Sequence, residues 1–120
     1  MDIYVGHSSS ITFKEQLYQP LRNSSLDNKH NIVLPHENTD AQFNSKQFLE
    51  NECDVFIAEI SEASTGLGIE LGWADLYDVP VICVYRKGSQ SSSAVPAVFD
   101  TVEQYENSEN LIEVINEFLS

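Results

Sequence analysis

Glu70 stands in the segment Ser64-Thr-Gly-Leu-Gly-Ile-Glu70-Leu-Gly-Trp-Ala74, surrounded by Leu67, Ile69, Leu71, Gly72, Trp73 and Ala74. A helical glutamate is by default solvated surface. One with such apolar neighbours is either partly buried beside a paired carboxylate or set in a pocket, and the second setting suits a nucleophilic carboxylate. Gly66 and Gly68 just before it let the backbone approach a ligand closely, and Leu67 to Tyr77 reads as a helix whose first turn carries Glu70. Gly66-Leu-Gly68 lacks the third glycine of a dinucleotide fingerprint, and no Walker lysine follows it.

Three loops rich in small hydroxyl residues accompany this segment: Gly6-His7-Ser8-Ser9-Ser10, Ser61 to Gly68, and Arg86 to Ser93. Hydroxyls and nearby backbone N–H groups donate to phosphate or sugar oxygens without a bulky side chain, although Ser and Gly are also what ordinary loops use. His7 adds a titratable group to the first loop. His30 and His36, the latter in Pro35-His-Glu37, have no companions at metal-ligand spacing, and neither do Cys53 and Cys83, so no metal site is expected.

The elements that must position these residues alternate along the chain. Asp2 to Val5 reads as a strand, Thr12 to Leu21 as a helix, Ile32 to Leu34 as a strand and Ala41 to Asn51 as a helix. Val55 to Ile60 reads as a strand buried on both faces, ending near Ser61, with the Glu70 helix next and then the strand Val79 to Tyr85. Val98 to Phe99 reads as a short edge strand, and Glu109 to Leu119 as a closing helix with Leu111, Ile112, Ile115, Phe118 and Leu119 on one face. Repeated β-α order favours a parallel sheet, and ligands of open α/β sheets lie beyond the carboxyl ends of the strands, where all three loops fall.

At 120 residues the chain is read as one domain, residues 1–120. Six Lys and Arg against nineteen Asp and Glu give a formal charge of −13. Such a chain repels polyanions, which argues against a nucleic acid polymer or an anionic membrane as partner, while a small anionic ligand can still be held locally. The N-terminal segment lacks the basic and apolar regions of a signal peptide, no apolar run approaches membrane-spanning length, and both cysteines fall beside or within buried strands. A reduced, cytoplasmic protein is the expectation.

Ala58-Glu-Ile-Ser followed by Ser64-Thr-Gly-Leu-Gly-Ile-Glu70-Leu-Gly-Trp-Ala74 resembles the signature of the nucleoside 2-deoxyribosyltransferase family, closest to its 2'-deoxynucleoside 5'-monophosphate N-glycosidase branch. Tyr4-Val-Gly6 and Ile82-Cys-Val-Tyr-Arg86 support the resemblance. It implies a flavodoxin-like (Rossmann-like) three-layer α/β sandwich with a four- to five-stranded parallel sheet and no cofactor. It also implies Glu70 as nucleophile, Tyr4 on the transferase spacing or Ile3 on the glycosidase spacing as the residue that orients it, and Ser64 as a phosphate ligand; the loop residues Gly6, His7, Ser8, Gly66 and Gly68 complete the expected substrate site. Ser93 is implied as a phosphate ligand supplied by a neighbouring subunit, hence a homodimer.

One position departs from the family. Its aspartate serving the leaving base falls on Lys46 or, with a shift, Ser45, so that either Asp40, Glu59 or His7 supplies the acid or the protein is slow or inert on ordinary nucleotides. The expected activity is cleavage of the N-glycosidic bond of a 2'-deoxynucleotide or related nucleoside through a glycosyl-Glu70 intermediate resolved by water. Ser64 and the short chain favour hydrolysis over transfer to a second base. A deoxyribosyltransferase and a nucleotide-binding module without turnover are the alternatives, and an electron-transfer flavodoxin-like protein is disfavoured because no loop carries an aromatic pair to sandwich a flavin.

Overall fold

The computed structural model describes residues 1–38, 44–89 and 95–120. Strands β1 (Asp2–His7), β2 (Asn31–Val33), β3 (Val55–Glu59), β4 (Val81–Arg86) and β5 (Val102–Tyr105) form one parallel sheet in the order β2-β1-β3-β4-β5. That is the flavodoxin-like order, with its topological switch between β1 and β3, where a crevice opens beyond the carboxyl ends. The α/β fold expected from the sequence is therefore the fold observed.

Period-2 alternation sorts the strand residues onto two buried faces. Ile3, Val5, Val55, Ile57, Ile82 and Val84 face one helical layer, made by the turn Lys14–Tyr18, α1 (Gln19–Arg22), α2 (Leu26–Lys29) and α6 (Ser108–Leu119). Tyr4, Phe56, Ala58 and Cys83 face the other, made by α3 (Ser45–Asn51) and α4 (Thr65–Leu76). Continuous burial along β3 follows from having a helical layer on each side. Helix α6 buries Leu111 and Ile115 fully and exposes Glu109, Glu113 and Glu117, matching its amphipathic spacing.

Two elements differ from the sequence expectation. The edge strand is not Val98–Phe99: Val95–Val98 forms a helical turn, α5, and the chain pairs with β4 only at Val102–Tyr105. Pro96, with fixed φ and no N–H, suits the start of a helical turn and not a ladder. The first helix opens as a π-turn, with the Gln19 N–H donating to the Lys14 carbonyl, and runs on as α1. Pro20 lacks the N–H that would bond the Gln16 carbonyl, which explains the local shift from i−4 bonding. Helix α3 is described from Ser45, and the expected start at Ala41 lies outside the described residues.

Gly6 marks where α4 meets the sheet most closely. A Cβ there would lie 2.7 Å from Phe56 Cζ and 3.0 Å from Leu67 Cδ1, so the absent side chain lets the start of α4 settle onto β1. Among the described residues no helix is long and apolar enough to cross a membrane.

Candidate active site

Tyr4 is one residue out of phase with Ile3 and Val5, which turns it toward α3 and α4. It is buried at 1% exposure, with its ring held edge-on by Phe56 at 5.3 Å and beside Phe48 at 6.0 Å. On α4, Leu67, Leu71 and Ala74 face the sheet at i, i+4 and i+7. Glu70 is the half-buried neighbour of that stripe, and its Oε2 accepts a hydrogen bond from the Tyr4 hydroxyl. The helix is capped by Ser64, whose Oγ accepts from the Leu67 N–H at 3.4 Å.

Burial pushes the Glu70 carboxyl above its ordinary range, and hydrogen bonds from Tyr4 and Ser45, with the charge of His36, pull it back. Burial, then the charge of Glu70, pushes the Tyr4 phenol far up, so Tyr4 stays a neutral donor. Ser45, the first residue of α3, is buried beside this pair; Asn44 caps the helix by accepting from the Gln47 N–H at 3.2 Å.

The pair opens into a cleft of about 810 Å³, a volume suited to a nucleotide-sized ligand. Of the residues singled out in the sequence, Tyr4, His7, Ser64, Gly66 and Glu70 line this cleft together, as do Ser45 and Lys46 at the position where the family carries its aspartate. Gly6 and Ser8 do not line it. The space at Gly6 is filled by Phe56 and Leu67, and Ser8 is buried with its Oγ bonded to Ser10 Oγ at 2.7 Å. Gly68 faces a separate, largely apolar cleft of about 410 Å³ on the other flank of α4, with Leu71, Gly72, Val98 and Phe99. Ser93 and Asp40 lie outside the described residues.

His7 has both ring nitrogens engaged. Its Nδ1 donates to the Ser8 carbonyl at 2.9 Å, and its Nε2 accepts from the Tyr18 hydroxyl at 2.6 Å. Burial, with the charge of His36 acting the same way, lowers its pKa, so the neutral ring is favoured. The Tyr18 hydroxyl in turn accepts the His36 N–H at 3.2 Å.

Glu59 is out of phase with Tyr4 and points to the opposite helical layer. It is fully buried, taking hydrogen bonds from the Tyr105 hydroxyl, from Ser61 Oγ at 2.9 Å, from the Ser61 N–H at 2.6 Å and from Gln16 Nε2 at 3.3 Å. Glu59 does not line the Glu70 cleft.

His36 was dismissed in the sequence for want of metal-ligand companions, yet it lines the Glu70 cleft. The available signal was its position three residues beyond the end of β2, on the same sheet edge as the loops after β1 and β3. Among the described residues no three His, Cys, Asp or Glu side chains converge as a metal site. Cys53 and Cys83 are free thiols pushed up to about 11 by burial.

The sheet order and the glutamate-tyrosine pair at its switch point define a flavodoxin-like α/β protein, with the fold of the nucleoside 2-deoxyribosyltransferase-like family and a local resemblance to it in sequence. No family model matches the chain. It is 35% identical over 40 residues to a Syntrophotalea carbinolica protein provisionally named 2'-deoxynucleoside 5'-phosphate N-hydrolase 1. That match spans 33% of this chain and only 28% of the relative. The fold is similar to that of a CMP N-glycosidase from Clostridium botulinum, with TM-score 0.69 and 16% identity over 97% of this chain and 99% of that one. It is also similar to a conserved protein from Enterococcus faecalis V583, with TM-score 0.62 and 18% identity over 98% of both chains.

Proposed function

We propose that the protein cleaves the N-glycosidic bond of a 2'-deoxynucleoside 5'-monophosphate, with Glu70 as the nucleophile. The observation that carries this reading is the Tyr4–Glu70 hydrogen bond in a cleft at the sheet's switch point. A carboxylate there meets two opposing needs: enough burial to be a reactive nucleophile, and enough hydrogen bonding to stay ionised. Tyr4 fixes one carboxylate oxygen and leaves the other to attack the anomeric carbon. The C1'–Oε bond forms as the C1'–N bond breaks through an oxocarbenium-like transition state, and the electron pair of the broken bond leaves with the base. Water then displaces Glu70 from C1' with net retention, releasing the sugar phosphate.

Ser64 and the amide of Gly66 at the start of α4 are the donors in this reading that receive the 5'-phosphate. Ser93 of a second copy of the chain would complete that site in a homodimer. The names of the partial relative and of the structural neighbour, an N-hydrolase and an N-glycosidase, support the same bond as the target. Base release by wild type and Glu70→Gln, measured chromatographically on the four 2'-deoxynucleoside 5'-monophosphates and their nucleosides, with and without an acceptor base, tests the reading. Release by wild type alone, faster from the monophosphates and independent of acceptor, is expected. Release that requires an acceptor would make the protein a transferase, and undiminished release by Glu70→Gln would refute the assigned nucleophile.

A further inference from the structure

Departure of a purine or pyrimidine requires a proton, and the cleft presents serine and lysine where the family places an aspartate. The substitutes the sequence offered do not fill the gap among the described residues. His7 has both ring nitrogens committed, and Glu59 lies on the opposite face of the sheet. Asp40 lies outside the described residues.

We infer that His36 is the general acid and base of the Glu70 cleft, a role that rests on the glycosidase reading above. His36 lines the same cleft as Glu70, beyond the carboxyl end of β2. Unlike His7, it has no hydrogen bond to either ring nitrogen among the described residues, so a nitrogen is open to a ligand. The ring is half-buried and rests against His7 at 5.8 Å and Phe13 at 6.0 Å.

Its backbone is pinned from two sides. The His36 N–H donates to Tyr18 Oη at 3.2 Å, and the next residue, Glu37, is held by Arg22 through two bonds of 2.8 Å. Arg22 also donates to the Ile32 carbonyl at 3.0 Å, tying the β2 exit to α1. A half-buried loop held this firmly beyond a strand end, with an unengaged imidazole in the cleft that Glu70 also lines, is what a proton-transfer group needs.

The proton balance closes within one turnover. As Glu70 attacks C1', the imidazolium of His36 gives its proton to the departing base, which takes the C1'–N electron pair and leaves neutral. His36, now neutral, accepts a proton from the water that attacks C1'. The water oxygen forms the new C1'–O bond, the bond to Glu70 breaks with its electron pair returning to the carboxylate, and His36 is again an imidazolium. Retention brings water to the face the base has left, so one residue serves both steps.

The test compares two substrates under single-turnover conditions: 2'-deoxyguanosine 5'-monophosphate and its N7-methylated analogue, whose cationic base leaves neutral without gaining a proton. His36→Asn should slow base release from the unmethylated nucleotide by roughly 10²- to 10⁴-fold and from the methylated one by less than about tenfold, the range general acid catalysis supplies. The ratio between substrates is taken on one preparation, so partial loss of folded protein cancels. Equal loss on both substrates, or no loss on either, overturns the role of His36. Glu70→Gln separates the two ideas, because it should slow both substrates. If it slows neither while His36→Asn acts selectively, the nucleophile assignment fails and the acid stands. A wild type that releases base from neither substrate overturns both.

Discussion

Tyr4→Phe isolates the interaction on which the proposed chemistry turns. The change removes the hydroxyl that donates to Glu70 and keeps the ring packed on Phe56 and Phe48. A hydrogen bond to a charged group contributes about 1.5–3 kcal/mol, which at about 1.4 kcal/mol per tenfold corresponds to a loss of roughly 10- to 150-fold in kcat/KM. The pH profile carries the sharper signature. Burial raises the Glu70 pKa and the Tyr4 hydrogen bond lowers it, so removing the hydroxyl leaves the rise less opposed. Glu70 must be ionised to attack, so activity falls as pH drops through its pKa, and in Tyr4→Phe that acid limb must move to higher pH. The assay is base release across a pH series at constant ionic strength, with thermal melts showing that the variant stays folded. An acid limb that stays put or moves to lower pH refutes the account of how Glu70 is kept ionised.

Glu59→Gln places an amide nitrogen among the Tyr105, Ser61 and Gln16 donors; it should cost about 1–3 kcal/mol in urea unfolding and leave kcat for base release unchanged, because Glu59 faces away from the cleft. Gly6→Ala drives a methyl to 2.7 Å from Phe56 Cζ, and overpacking of this kind should lower stability by about 1–3 kcal/mol in the same assay. Glu70→Gln should melt higher than wild type at neutral pH. A carboxyl whose folded pKa is raised favours folding below its unfolded pKa and loses that contribution as pH rises through the folded value, so the advantage of the glutamine should shrink as pH is lowered into the carboxylate range.

The sheet was legible because its signals are local. The apolar runs at Ile3 to Val5, Val55 to Ile60 and Val79 to Tyr85 are long enough to read as buried strands, and helix α6 announces itself by spacing. Glu70 was legible because an acidic residue among apolar ones is a local anomaly. What escaped depended on pairing between distant segments. Val102–Tyr105, with only Tyr105 fully buried, carries too weak a pattern to outrank Val98–Phe99 until its register against Cys83–Arg86 is known. Gly6 read as a ligand-facing glycine, because nothing in the residues near it shows that Phe56 and Leu67, fifty and more positions away, occupy the space above it. His36 was invisible as a site residue for the same reason: its neighbours in the cleft come from β1, α3 and α4.

The position of each acidic group in the three layers decides what it can do. Tyr4 and Glu59 lie on adjacent strands, but opposite phase in the pleat sends one to α4 and the other to α6's layer. Glu59 thereby receives four donors and is held inside the fold, while Glu70, reached by Tyr4 and Ser45, lines an open cleft. The surplus of carboxylates, −13 overall, sharpens the contrast. A chain so acidic repels a phosphorylated ligand at long range, so binding one depends on donors gathered locally. His36 and Lys46 line the Glu70 cleft, Arg86 lines another, Arg22 is paired with Asp27 and Glu37, and Lys87 with Glu106. In the glycosidase reading a small anionic substrate needs only a few local donors, such as Ser64 and the Gly66 amide, whereas a polyanion would meet the repulsion of the whole chain.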